Sequence, residues 1–320
     1  MRAGRLGRTP ALRHLVGGAG LEPAALVQPI FIRDGADAPR PVESMPGQFQ
    51  HSVASAARFA AEAAEAGVGA VMPFAIPSRK DELGTEASDP EGIMQRALRA
   101  IVEEVGDAVV VIGDVNLDEY TTHGHTGVLD ATGEVDNDAS IESFARVAVA
   151  QADAGAAMVA PSGMMDGQVA AIRDALDSAG HDQVGIMAYA AKFASGFYGP
   201  FRGAIESSLT GNRRGYQQYP GNSREALIEA ALDIEEGADA VMVKPALPYL
   251  DVIDAISSRN EVPVAAYQVS GEYVMVEAAA REGVVDRAAA IEETLLAIRR
   301  AGATTIITYS ATEFATSGCR

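Results

Sequence analysis

Four times along the chain a stretch of helical character ends at a glycine and an apolar, β-rich run follows at once. The four joins are EAGVGAVMP (65–73), DAGAAMVAPS (153–162), EGADAVMVKP (236–245) and RAGATTIITYS (300–310). Glycine closes a helix readily because it enters the left-handed conformation at little steric cost. A continuous apolar run, rather than an alternating one, is the pattern of a parallel strand covered on both faces. Four further runs of this kind lie at LVQPIFIRD (26–34), DAVVVIGDVNL (107–117), VGIMAYAAK (184–192) and VPVAAYQVS (262–270). Segments of helical composition separate the eight, near 53–66, 90–104, 139–153, 167–179, 223–236, 249–259 and 286–300. Eight strands alternating with helices over about 300 residues predict an α/β fold, a closed (β/α)8 TIM barrel spanning 23–320. An open doubly wound sheet is the alternative, but no G-x-G-x-x-G follows the first run. The joins are too unevenly spaced for a solenoid. Residues 1–22 read as an N-terminal arm.

Two segments are too long for simple connections. The first runs from Asn116 to Ala139 and contains HGHTG and GEVDND; the second, from Phe193 to Gly221, is rich in glycine, aromatic residues and arginine. Long ordered loops after barrel strands serve as lids or ligand loops, so a lid is expected over about 193–221.

Composition narrows the function classes. Of 320 residues 48% are hydrophobic, enough for a large core and too many for a disordered chain. With 44 acidic against 25 basic residues the net charge is −19, which repels nucleic acid and anionic membrane surfaces. The basic residues are 22 arginines and only three lysines, Lys80, Lys192 and Lys244. Acidic excess with little lysine suits a salty cytoplasm, where screening relieves self-repulsion, and points to a halophilic source. The single cysteine, Cys319, precludes an intramolecular disulfide and a thiolate metal cluster, and fits a reducing compartment. Arg2, Arg5, Arg8 and Arg13 precede an apolar stretch broken by Gly17, Gly18, Gly20, Glu22 and Pro23, unlike the unbroken core of a signal peptide. No run reaches the roughly 18 apolar residues of a membrane helix. The expectation is a cytoplasmic protein whose basic arm docks on an acidic neighbour.

In a barrel of this kind the chemistry gathers where the strands end. The strand-final polar residues are Asp114, Ser162, Lys192, Lys244, Ser270 and Tyr309 with Ser310. A lysine closing an apolar strand is costly, since desolvation opposes its charge. The same burial lowers its pKa and frees the amine to attack a carbonyl carbon. Arginine cannot do this, because its guanidinium stays protonated. Two of only three lysines close adjacent runs, which points to Schiff-base chemistry on Lys192 and Lys244. An ion pair or a phosphate anchor is the alternative use for either.

The blocks DVNLDEYTTHGHTG (114–127), MAYAAKFASGFYGPFR (187–202), GNRRGYQQYPGN (211–222), AVMVKPALPYLD (240–251) and AYQVSGEY (266–273) resemble, in this order, those of the porphobilinogen synthase family, also called 5-aminolevulinate dehydratase. The likeness covers most of the chain, from about Pro29 to Tyr309. It implies a hydro-lyase of heme biosynthesis, a (β/α)8 barrel with an N-terminal arm, that condenses two 5-aminolevulinate molecules to porphobilinogen with loss of two waters. The family's homo-octamer is implied as well. By motif, Lys244 would form the Schiff base with the molecule that becomes the propionate side, and Lys192 would activate the acetate-side molecule. Arg202 and Arg213 match lid arginines that hold a substrate carboxylate, and Ser270 and Tyr309 match hydroxyls that bind the other. Asp114, Ser162 and Gln217 are further pocket candidates.

The metal is where this chain departs from its relatives. Zinc-dependent members carry three cysteines at positions matching Asn116, Asp118 and Thr126, and none is cysteine here. Hard oxygen donors with one charge, that of Asp118, suit Mg2+ or a monovalent cation rather than catalytic Zn2+. His123 and His125 are two apart in a glycine loop, which favours loop or substrate contacts over a metal pair. Glu229 in REALIEAALD (224–233) matches the glutamate of the family's allosteric Mg2+ site; a solvated helix face is its plain alternative. Met164 and Met165 are expected to pack or line the pocket mouth, Lys80 to be solvated, and GEVDND to lack the spacing of a calcium loop. Two other functions stand beside the first: a class I aldolase, for which one strand-end lysine suffices, and a catalytically silent barrel kept for assembly.

Overall fold

The computed structural model describes residues 5–6, 8–209 and 211–317; Arg2 and Cys319 lie outside them. The eight predicted runs are all strands: β1 Leu26–Arg33, β2 Ala70–Ile76, β3 Val110–Val115, β4 Met158–Pro161, β5 Gly185–Lys192, β6 Ala240–Lys244, β7 Val264–Gln268 and β8 Thr305–Thr308. Each pairs in parallel with its neighbours in sequence. Pairing of Leu26 with Ile306 and Val27 with Ile307 joins β1 to β8 and closes the barrel. Two short strands, at 40–41 and 49–51, extend the sheet from the end of β1.

The predicted helices are present as α2 Val53–Glu65, α3 Ile93–Val105, α4 Asn137–Asp153, α5 Gln168–Ser178, α7 Ser223–Glu235, α8 Leu250–Ser257 and α10 Arg287–Arg300. The glycines at the four joins, Gly67, Gly155, Gly237 and Gly302, all have φ between 85° and 109°, as a left-handed helix terminus requires. Four helices were not legible in the pattern: α1 Pro10–Val16, α6 Gly199–Ala204, α9 Ser270–Arg281 and α11 Ala311–Ser317. In α9 the opening SGEYVMV carries aromatic and β-branched residues that favour a strand, so it reads as a continuation of β7.

The strands are apolar on both faces, yet their alternation sorts side chains into two cores. Val27, Phe31, Met72, Phe74, Ile112, Tyr189, Met242, Tyr267 and Ile307 fill the barrel interior. Leu26, Ile30, Ile32, Val71 and Val241 face outward onto Ala60 of α2, Leu98 of α3, Ile172 of α5 and Leu295 of α10. Burying each large apolar side chain contributes about 1.5–3 kcal/mol. Truncating an interior ring such as Phe31 would cost about 3–5 kcal/mol through the cavity it leaves. Among the described residues no helix is long and apolar enough to cross a membrane.

Both long segments fold over the ends of the strands. The 193–221 segment leaves β5 and returns to it: Phe193 bridges Gln218, and the Gln218 N–H donates to the Lys192 carbonyl at 3.0 Å. The 116–139 segment forms a turn and a small hairpin with a bridge from Leu129 to Val135. Asp130 in that hairpin accepts from Thr132 and Glu134 as a turn residue. Before the barrel, α1 exposes Leu15 and Val16.

Candidate active site

At the C-terminal end of the barrel lies a cavity. Asp114, Ser162, Lys192, Lys244, Ser270 and Tyr309 all line it, as do Arg202, Arg213, Gln217, Asn116, Asp118 and Glu119. Strand alternation explains most of this. Ile112 faces inward, so Asp114 does too; Ala160 leads to Ser162, Met242 to Lys244, and Ile307 to Tyr309.

Lys192 breaks that rule and is brought in by a bulge. Met187 and Tyr189 of β5 face inward, so unbroken alternation would turn Ala191 inward and Lys192 onto the helices. Between Ala188 and Ala191 the pairing with β6 slips: three steps along β5 match two along β6, from Val241 to Val243. Ala190 and Ala191 therefore both pack in the outer core, and Lys192 stands in register with Lys244. An extra residue of this kind re-aims side chains beside active sites elsewhere.

Both amines are buried. The Lys244 Nζ lies 4.4 Å from the ring centre of Tyr267, 5.0 Å from Tyr189, and 5.6 Å from both Tyr198 and Phe201. Desolvation, then the charge of Lys192, brings the Lys244 amine down to about 7. Desolvation, then Arg213, brings Lys192 down to about 8. The Lys192 ammonium donates to the Ser162 carbonyl. Burial pushes the Asp114 carboxyl above the usual range although both lysines oppose the shift. Glu119 is raised further, by burial and by Asp118 and Asp114 beside it. Four polar atoms on this cavity have no partner among the described residues: Asp114 Oδ1, Glu119 Oε1, Arg213 Nε and Gln217 Nε2. Buried groups of this kind ask for a polar ligand.

The remaining predicted residues are placed as follows. Arg202, on α6, is exposed at the mouth and pairs with no carboxylate among the described residues. The Ser270 Oγ accepts from the Phe201 N–H at 2.9 Å, and the Tyr309 and Tyr267 hydroxyls are 3.0 Å apart. Ser162 Oγ lies 3.5 Å from Asp114 Oδ2. His123 contacts the Glu82 carbonyl and His125 Nδ1 the Tyr216 hydroxyl, both loop contacts. Met164 and Met165 line an adjoining groove with Gln217. Lys80 is half-exposed and donates to the Glu206 carbonyl at 3.2 Å, where the 193–221 segment folds back onto its loop. Glu229 lies on α7, outside the cavity lining.

The three positions matched to zinc cysteines do converge. Thr126 donates to Asn116 Oδ1, the Asn116 amide donates to Asp118 Oδ1, and Arg213 closes an ion pair with Asp118 Oδ2. These side chains hydrogen-bond to one another, no sulfur is present, and a guanidinium already balances the one charge. The set does not fit Zn2+. Among the described residues no three His, Cys, Asp or Glu side chains form a metal site.

The ring around Lys244 was missed in the sequence. Tyr189 and Tyr267 were discoverable, since each sits on an inward position of its strand. Tyr198 and Phe201 come from the folded 193–221 segment, which no periodicity places.

Comparison with known proteins agrees with this geometry. The family model for delta-aminolevulinic acid dehydratase matches residues 1–317. A delta-aminolevulinic acid dehydratase of Streptomyces coelicolor is 55% identical over 316 residues, 98% of this chain and 96% of that one. One of Mycobacterium tuberculosis is 56% identical over the same shares of the two chains. The crystal structure of the Toxoplasma gondii enzyme, solved with its reaction product porphobilinogen, superposes with a TM-score of 0.96 at 41% identity, covering 99% of this chain and 91% of that one. The chain belongs to the delta-aminolevulinic acid dehydratase family.

Proposed function

We propose that this chain is a porphobilinogen synthase, a hydro-lyase that joins two 5-aminolevulinate molecules into porphobilinogen with loss of two waters, in heme biosynthesis. The observation that carries the mechanism is the register pairing of Lys192 with Lys244 over one cavity. Each neutral amine can add to a substrate ketone; the carbinolamine then takes up a proton, its C–O bond breaks, water leaves, and an iminium remains. Four aromatic rings around Lys244 favour that cation by their electron-rich faces. The carboxyls of Asp114 and Glu119, both raised by burial, are the groups at hand to exchange protons. Ser270 and Tyr309 would anchor one substrate carboxylate, and Arg202, Arg213 and Gln217 the other, holding two substrates in reacting geometry. A class I aldolase needs one strand-end lysine; a second in register with it favours two ketone substrates.

Magnesium fits outside the cavity. The Asp233 Oδ2, one turn from Glu229, is buried with no partner among the described residues. Burial and neighbouring acids, Asp166 first, push Glu229 up to about 7; burial and then Glu229 push Asp233 up to about 8. Two such carboxylates would hold a hard cation that keeps several waters, as Mg2+ does, and it would supply charge balance for this acidic helix face. In the active site, a monovalent cation would compete with Arg213 for Asp118.

The exposed Leu6, Leu15 and Val16 before the barrel support a homo-octamer assembled through residues 1–22 as an arm. A monomeric mass by light scattering in concentrated KCl would refute it. The charge of −19 with three lysines supports a halophilic source, and the lone cysteine a cytoplasmic setting. Full activity after dialysis into salt-free buffer would refute the halophilic reading.

The test of function is pyrrole formation from 5-aminolevulinate in concentrated KCl, with chelator and then with Mg2+ or Zn2+ restored. Product is expected to survive zinc removal, to rise with Mg2+ unless Glu229→Ala is present, and to vanish in Lys244→Ala. No product from folded protein would favour the aldolase or silent barrel instead.

A further inference from the structure

Glu272 is completely buried, the third residue of α9, and it does not line the cavity. Among the described residues it forms no ion pair, and its carboxylate is held by three backbone N–H groups instead. Oε2 accepts from Val269 at 2.6 Å and from Ala246 at 3.3 Å, and Oε1 accepts from Leu247 at 2.6 Å.

The Val269 bond is ordinary for a glutamate in the first turn of a helix, where it caps the N-terminus. The other two have no helical explanation. They come from the turn that follows Lys244, and since Pro245 has no N–H, Ala246 and Leu247 are the first donors that turn offers. Glu272 thus spans two strand ends: the turn leaving β6, which begins at Lys244, and the turn leaving β7, which presents Val269 and Ser270 to the cavity. Replacing a buried carboxylate of this kind leaves three N–H groups without acceptors, so the arrangement is maintained against a desolvation cost.

We propose that Glu272 is a positioning residue that fixes Lys244 and Ser270 relative to each other, so that the amine meets the ketone of a substrate whose carboxylate Ser270 holds. The proposal rests on the reading of Lys244 as the Schiff-base amine. Its mechanism is geometric: a displacement of about 1 Å between a catalytic group and a bound substrate can cost a hundredfold in rate.

The test is Glu272→Gln, which keeps the shape but sets an amide N–H2 against backbone N–H donors. The substrate analogue 4-oxopentanoate, a ketone without the amine, reports Schiff-base formation alone when borohydride traps it and the labelled peptide is mapped. Expected are a fall in kcat and in the trapping rate at Lys244 of about 10- to 100-fold, with a raised KM for 5-aminolevulinate, measured on the folded fraction. If only the thermal midpoint falls while kcat, KM and trapping stay within twofold, Glu272 is a helix cap and the proposal is overturned. Should Glu272→Gln not fold, Glu272→Asp keeps the charge but is too short to reach Ala246 and Leu247. The same losses in Glu272→Asp support the proposal, and wild-type kinetics overturn it. Absence of trapping at Lys244 in the unmodified enzyme overturns the Schiff-base reading and this proposal with it. Trapping that Glu272→Gln leaves unchanged overturns the proposal alone.

Discussion

Arg213 reaches from the 193–221 segment to Asp118 in the turn after β3, and the two form a buried ion pair on the cavity wall, side chains 9% and 2% exposed. Its Nη2 also donates to the Gly124 carbonyl at 2.8 Å. The arginine read as a substrate clamp thus also places its positive charge beside Asn116, Asp118 and Thr126.

Breaking a buried pair on one side strands the other charge, so Asp118→Asn should lower stability by about 3–5 kcal/mol near neutral pH. Burial raises the Asp118 carboxyl, but Arg213 overrides that and holds it below 3.8. A group with a depressed folded pKa stabilises fully above its unfolded value and loses that contribution as pH falls through the folded one. Urea melts of the two proteins should therefore differ most above pH 4 and converge in stronger acid. Parallel melts across that range would refute the pair's importance.

The barrel and most of the cavity were legible in the chain because each rests on a local rule. Gly67, Gly155, Gly237 and Gly302 mark the helix-to-strand joins, and strand alternation carries Asp114, Lys244 and Tyr309 inward. What escaped depends on partners remote in sequence. The bulge at Ala190 and Ala191 shows only when β5 is paired with β6. Glu272 looks like a helix cap until the turn after Lys244 is packed against it. Arg213 and Asp118 are 95 residues apart, and no periodicity joins them.

The bulge makes a sharp prediction. Deleting Ala190 removes the extra residue, so simple alternation from Tyr189 puts Ala191 outward and keeps Lys192 inward, in register with Lys244. Pyrrole formation should therefore stay well above the level of Lys192→Ala, with borohydride trapping of 4-oxopentanoate at Lys244 continuing and circular dichroism showing an intact barrel. A drop to the level of Lys192→Ala with the barrel intact would mean that strand register alone does not place Lys192.

Lys244 should set a pH dependence far from that of a free lysine. Only the neutral amine attacks a ketone, so the trapping rate should climb as pH rises through about 7, rather than through 10.5, and then level off. The sign for stability follows from the same burial. Between those two values the unfolded chain binds more protons at this lysine than the folded one, so stability from this group rises with pH. Lys244→Met should therefore raise the thermal midpoint most near pH 7 and progressively less toward pH 10. A constant increment across that range would contradict the lowered amine.

Gly124 is one point where the two long segments touch, and it can be tested without altering any charged group. Its φ is 71°, and an added Cβ would lie 2.3 Å from the Leu209 nitrogen and 2.6 Å from the Leu209 Cα. Those are backbone atoms and cannot rotate away, so Gly124→Ala must push the 193–221 segment off the 116–139 segment. Arg213, which donates to the Gly124 carbonyl, moves with it. The substrate carboxylate assigned to Arg213 and Arg202 would then be held less well, whereas Lys244 on β6 stays where its strand puts it. Steady-state kinetics of Gly124→Ala should show KM for 5-aminolevulinate up by about tenfold or more. The rate of Lys244 trapping at saturating 4-oxopentanoate should change little. The reverse pattern, slow trapping with normal KM, would place the role of these segments at the lysine rather than at the carboxylate.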